Sequence, residues 1–216
     1  MNFKNIIIFL FCTLSFSKAQ LDSANNDGEF SIIRIKDGVK IIYNSDNSNF
    51  HFDILCDNFR QIEASNMMFM ADNVLLQITP VPLEFILGSN VDNLSDSLKL
   101  LYHFAFEVRN IRSNLSGDFK IYDEFIKQQG HLLYYWHFDM PKQKETEGME
   151  TVQGQHFATT RALGRILMLS GIEVERNEPG EVKTKLIESL QTLIVSVDEF
   201  DPEKIREQLS KEEELD

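Results

Sequence analysis

The sequence predicts an α+β fold, an antiparallel β-sheet packed by two amphipathic helices. Two observations carry this: β-rich runs come in groups joined by tight-turn residues, and the stretches Asn93–Arg112 and Val182–Ile194 repeat apolar residues at helical spacing. Composition agrees, because 43% hydrophobic and 25% charged residues in 216 are the proportions of a globular chain long enough to bury a core.

Taken in order, Met1–Asn5 carries one lysine, residues 6–16 are almost wholly apolar, and Ser17-Lys18-Ala19 fits a small-x-small cleavage rule. This is the plan of a secretory signal peptide, cut after Ala19, and its apolar run is too short to span a bilayer as a helix. The mature chain is then expected to be periplasmic or secreted, with no transmembrane segment. Cys12 leaves with the leader, so Cys56 has no internal disulfide partner and stability must come from packing. The formal charge of −13 repels phosphate backbones, which argues against nucleic-acid binding.

Gln20–Glu29 is a polar leader. Phe30–Ile35 and Val39–Tyr43 flank Lys36-Asp37-Gly38 as a hairpin, Phe50–Leu55 is a strand, and Met67–Ala71 and Val74–Thr79 form a second hairpin about Asp72-Asn73. Pro80 and Pro82 should end regular pairing there. Leu94, Leu98, Leu101, Ala105 and Val108 define the core stripe of the first helix, with Leu100, Phe104 and Ile111 widening it and Asn93 as its cap. Four strands follow: Phe119–Lys127, His131–Met140, Glu150–Thr159 and Arg165–Ser170. In the second, Leu132, Tyr134, Trp136 and Phe138 form a core face, while His131, Leu133, Tyr135, His137 and Asp139 form a polar one. The closing helix presents Val182, Leu186, Leu190, Leu193 and Ile194. Residues 30–197 make one domain, and 198–216 a surface helix with an acidic tail.

The hairpin about Asp72-Asn73, the helix Asn93–Arg112, the aromatic strand Leu132–Phe138 and the helix Val182–Ile194 follow one another in an order that resembles the PsbP/Mog1/DcrB-like α/β/α-sandwich group. The match spans Phe50 to about Val197 and rests on element order, with no signature motif. The resemblance implies an accessory or binding protein and not an enzyme, and it assigns no functional residue.

The chain lacks a Gly-rich phosphate loop, H-E-x-x-H, C-x-x-C and G-x-S-x-G, so no catalytic residue and no cofactor are expected. Cys56 beside Asp57 reads as a small buried hydrophobe. His137, Asp139 and His156 are close enough in strand spacing to raise a metal site, but a polar sheet face is the preferred reading and no metal is predicted. The acid pairs read as solvated. The more informative feature is adhesive: Tyr135 and His137 on one strand, with Gln153, Gln155 and Phe157 on the next, read as a partner-docking face, with the loop Pro141–Gly148 beside it.

Three functions remain. The first is an exported non-enzymatic subunit that binds an envelope protein partner, with salt-sensitive association if that partner is basic. The second is a small-molecule or lipid carrier with a pocket between sheet and first helix, lined by Phe104, Phe106 and Met68. A cavity of several hundred Å³ would favour it. The third is a hydrolase with an unrecognised site, which a cleft gathering His, Asp and Ser would favour.

Overall fold

A computed structural model describes residues 28–46, 48–62, 67–88, 93–115, 118–141 and 151–213. The expected signal peptide, most of the polar leader and the loop Pro141–Gly148 beyond its first residue lie outside the described residues.

The fold is α+β, as the sequence predicts, but its strands divide into two antiparallel sheets. The smaller holds β1 (Glu29–Ile35), β2 (Gly38–Asn44), β3 (Asn49–Leu55) and β11 (Ile194–Ser196), in that order across the sheet. The larger holds β4 (Phe59–Gln61), β5 (Met68–Ala71), β6 (Val74–Pro82), β7 (Ile121–Gln128), β8 (His131–Asp139), β9 (Val152–Ala162) and β10 (Arg165–Val174), ordered β4-β5-β6-β10-β9-β8-β7. Among the described residues, four helices complete it: α1 (Leu83–Leu87), α2 (Asp96–Asn114), α3 (Glu181–Gln191) and α4 (Pro202–Glu213).

The expected hairpins form where turn chemistry demands them. At the β7–β8 turn Gln129 and Gly130 both take positive φ, 50° and 85°, the conformation a two-residue hairpin turn requires and glycine tolerates best. The prolines do not end β6, which pairs with β10 through Pro80 and Pro82. The reason is parity. Ile78 N–H points away from β10 to Met67 O at 3.0 Å, so the nitrogens of Pro80 and Pro82 face that same side, where β5 has already ended.

The larger sheet is covered on both faces. On one, Tyr134, Trp136, Phe138, Phe157, Ile166 and Met168 pack under α2. On the other, Leu133, Tyr135, Ala158, Leu167 and Leu169 join the smaller sheet and Val182, Leu186 and Leu190 of α3. The face of β8 expected to be polar is therefore core at Leu133 and Tyr135, because α3 and the smaller sheet cover it. Ile194, expected on the apolar side of α3, instead opens β11 and is exposed.

The two sheets part at one margin. Between β1–β2 and β4–β6 lies a cavity of about 590 Å³, lined by Gly28, Phe30, Ile32, Ile41, Gln61, Met67, Phe69 and Ile78.

Candidate functional site

Two of the predicted site residues meet on the α3 side of the larger sheet. Tyr122, His137 and His156 stand at matched register on β7, β8 and β9. Their rings stack as a column, with centroids 4.9 Å apart for Tyr122–His137 and 5.1 Å for His137–His156, nearly parallel in both pairs. The column ends at Gly171 on β10, opposite His156. A Cβ there would lie 2.7 Å from Val182 Cγ1, so glycine is what lets α3 seat. Next to the column, Tyr135 Oη donates to His156 Nδ1 at 2.6 Å, which leaves Nε2 as the protonated nitrogen, donating to Glu173 Oε2 at 3.0 Å. Glu173 reaches this position beside a β-bulge, where β9 inserts Gln153 between the partners of Glu173 and Val174. Lys183 of α3 lies 4.8 Å from the Tyr135 ring centre and pairs with Glu124.

These groups are quenched. Burial, reinforced by the charges of Glu173 and Glu124, pushes the Tyr135 hydroxyl above its ordinary range, so it keeps its proton. Burial lowers His137 and His156, and both imidazoles are neutral at pH 7. Each proton of the Tyr135–His156–Glu173 chain is already held between two members of the chain, which leaves no activated nucleophile or base facing a substrate. Because the hydrogen bond and charge of Glu173 pull His156 upward against burial, Glu173→Gln is expected to lower the His156 pKa further. Titration of the imidazole C–H resonances checks this, and an unchanged midpoint contradicts the hydrogen bond.

The other predicted site residues do not join this pair. Gln155 and Phe157 stand opposite Phe138 and Trp136, on the far face of the sheet. Phe157 is 2% exposed and lies flat on Trp136, with centroids 3.8 Å apart. Gln155 is buried, and Gln153 is exposed in the bulge. A one-residue alternation applied to each strand separately cannot tell which faces of β8 and β9 coincide, so the expected single docking face is divided between two sides of a doubly covered sheet. Among the described residues, no group of three or more His, Cys, Asp or Glu side chains is arranged to hold a metal ion. Cys56 is buried in the core, and burial raises its thiol pKa.

The second site is the outer face of α2. Ser95, not Asn93, caps this helix, its hydroxyl accepting from Leu98 N–H, and Asp96 occupies the first turn. The residues it buries are Lys99, Leu100, His103, Glu107 and Ile111. The expected core stripe is thus rotated: Leu101 and Val108 are half-buried on its flank, Ala105 is exposed, and Leu98 and Tyr102 are 44% and 53% exposed. The cause is Phe104, whose ring meets Tyr134 and Trp136 edge-on at 5.2 and 5.4 Å and fixes the rotation of the helix on the sheet. That packing fills the space where a carrier pocket was expected. Phe106 turns outward to Phe85, at 5.7 Å, and Met68 belongs to a separate cluster with Met70 and Leu75.

The rotation leaves two ionisable groups inside. His103 is fully buried with no hydrogen-bond partner at either ring nitrogen among the described residues, and Glu107 Oε1 lies 3.6 Å from its Nε2. Burial lowers His103 to about 4 and raises Glu107 to about 7.

No helix among the described residues is long and apolar enough to cross a membrane. Neither a protein-family model nor a curated protein matches the sequence. Among solved structures, the chain is similar to cyanobacterial PsbP (CyanoP) from Synechocystis sp. PCC 6803, at 13% identity and a TM-score of 0.38, over 79% of this chain and 93% of that one.

Proposed function

We propose that the protein is an exported, non-enzymatic binding protein that docks an envelope protein partner on the outer face of α2. The observation that carries this is the inversion of the helix. α2 holds Leu98 and Tyr102 in water while it buries Lys99, His103 and Glu107, a distribution that wastes apolar area unless another surface covers it. Phe85, 39% exposed against Phe106, extends the same patch. The N-terminal apolar run supports export, and the quenched Tyr135–His156–Glu173 chain supports a role without bond-making.

A dock of this kind is apolar, so its affinity should change little with ionic strength, in contrast to the salt-sensitive association that net acidity alone predicts. The test is co-purification of the mature chain with its partner from the envelope of the cells that make it. The double variant Leu98→Ser/Tyr102→Ser touches only exposed positions, so it should fold normally and lose the partner. Retention of the partner by the folded double variant contradicts the proposal. A carrier function is the second reading, and the cavity between the sheets favours it.

A further inference from the structure

We propose that β7 is a self-association edge, on which a second copy of this chain lays its own β7 antiparallel and joins the two larger sheets into one. β7 stands at the margin of the larger sheet, paired to β8 on one side. The turn fixes which backbone groups that pairing uses. Gln128 and His131 flank the two-residue turn Gln129-Gly130 and exchange both their hydrogen bonds, so by alternation Tyr122, Glu124 and Ile126 also bond to β8. The N–H and C=O groups of Ile121, Asp123, Phe125 and Lys127 therefore point outward, and among the described residues nothing bonds to them. The other sheet margins are short or covered: β4 and β11 have three residues each, and α4 lies against β1. β7 has eight residues, no proline and no bulge, and its Tyr122 and Phe125 are 38% and 41% exposed. The helices sit back from it, α2 packing on β8 and β9, and α3 on β3, β8, β9 and β10.

Charge selects the occupant. Because the outward groups alternate, two copies related by a two-fold axis meet with one residue of β7 facing itself. An axis at Glu124 sets two carboxylates opposite each other, and an axis at Asp123 does the same. An axis at Phe125 pairs residues 122–128 of both copies, places Phe125 on Phe125 and sets Asp123 across from Lys127 on each side of the axis. In that register Glu124 faces Ile126 and Tyr122 faces Gln128, so no like charges are opposed. An axis at Ile126 overlaps less of the strand and brings no opposite charges together. The strand is thus complementary to itself in one register and repelled from itself in the two that precede it. Asp123 and Lys127 are both exposed, and Asp123 gives only Oδ2 to the Tyr134 hydroxyl, which leaves Oδ1 for the lysine. The pairing buries an edge and not a broad face, so the dimer belongs at the weak, small end of protein interfaces. It uses none of the α2 dock and needs no other protein.

Sedimentation equilibrium of the protein, purified in the form its host cells accumulate, should show a monomer–dimer equilibrium with a dissociation constant in the micromolar range. Lys127→Asp sets a carboxylate opposite Asp123, and Asp123→Lys sets an ammonium opposite Lys127. Each variant alone should dimerise at least tenfold more weakly. An equimolar mixture of the two should recover the wild-type constant, because lysine then meets aspartate on both sides of the axis. A folding defect cannot produce that recovery. If Asp123→Lys does not fold for want of the Tyr134 acceptor, Phe125→Lys puts like charges on the axis itself and should give the same loss. A protein that stays monomeric up to about 100 μM has this edge covered by its own chain or by another protein, and overturns the proposal. A dimer that both folded single variants keep at full strength lies elsewhere on the molecule and overturns it too. So does a mixture that pairs no more tightly than its components.

Discussion

Trp136→Ala is expected to destabilise the protein by about 3–5 kcal/mol, the usual cost of removing a large aromatic from a tight core. Trp136 is fully buried at the centre of the α2 face of the larger sheet. It lies flat on Phe157, receives the edge of Phe104 at 5.4 Å and stacks at 6.5 Å on Phe138. Alanine would leave a void beneath the one side chain that fixes the rotation of α2, so the loss extends beyond transferred area to the seating of the helix. Urea unfolding should show a lower midpoint with an unchanged slope. A cost below about 1 kcal/mol, the scale of an ordinary point substitution, contradicts this packing.

Glu107→Gln should have the second-largest effect, and its size depends on pH. Burial raises the folded-state pKa of Glu107 to about 7, above the ordinary 4.5 that applies on unfolding. Between those values the folded protein holds a proton that the unfolded chain releases. The contribution is fully present below pH 4.5 and is lost as pH rises through 7. His103 works in the opposite direction. Its folded value of about 4 lies below the ordinary 6.5, so its contribution is present above pH 6.5 and is lost as pH falls through 4. The two slopes cancel between about pH 4.5 and 6.5, and the wild-type protein should show a plateau there. Glu107→Gln removes the falling limb. Relative to wild type, the variant should gain roughly 3 kcal/mol between about pH 4.5 and pH 8, because a proton held by the folded protein alone changes stability by about 1.4 kcal/mol for each pH unit. Thermal or urea unfolding across that range measures the gap. A gap that stays constant with pH contradicts the burial of a proton-holding carboxyl on α2.

The longer strands and both long helices were legible because turn residues and apolar spacing act locally. Gln129-Gly130 makes a hairpin turn whatever surrounds it, and Leu186 and Leu190 face the core in the closing helix as their spacing predicts. What local pattern cannot show is how many layers cover a sheet. Tyr135 reads as the polar side of an alternating strand and is 3% exposed, because α3 and a second sheet lie over it. The α2 helix fails for a related reason. It carries two adjacent apolar stripes, and spacing alone cannot choose between them; the choice is made by the fit of Phe104 against Tyr134 and Trp136. Glu173 was not visible as a partner of His156, since their meeting depends on a bulge and on strand register. The short strands β4 and β11, three residues each, carry too little pattern to detect without their neighbours.

Site-specific photocrosslinking from position 102 tests most directly whether the outward stripe of α2 is a docking surface. With a benzoylphenylalanine in place of Tyr102 and illumination in the intact envelope, one discrete protein adduct is expected, abolished by Leu98→Asp and absent when the probe stands at Phe125 on β7. No adduct from position 102, or the same adduct from Phe125, would contradict it.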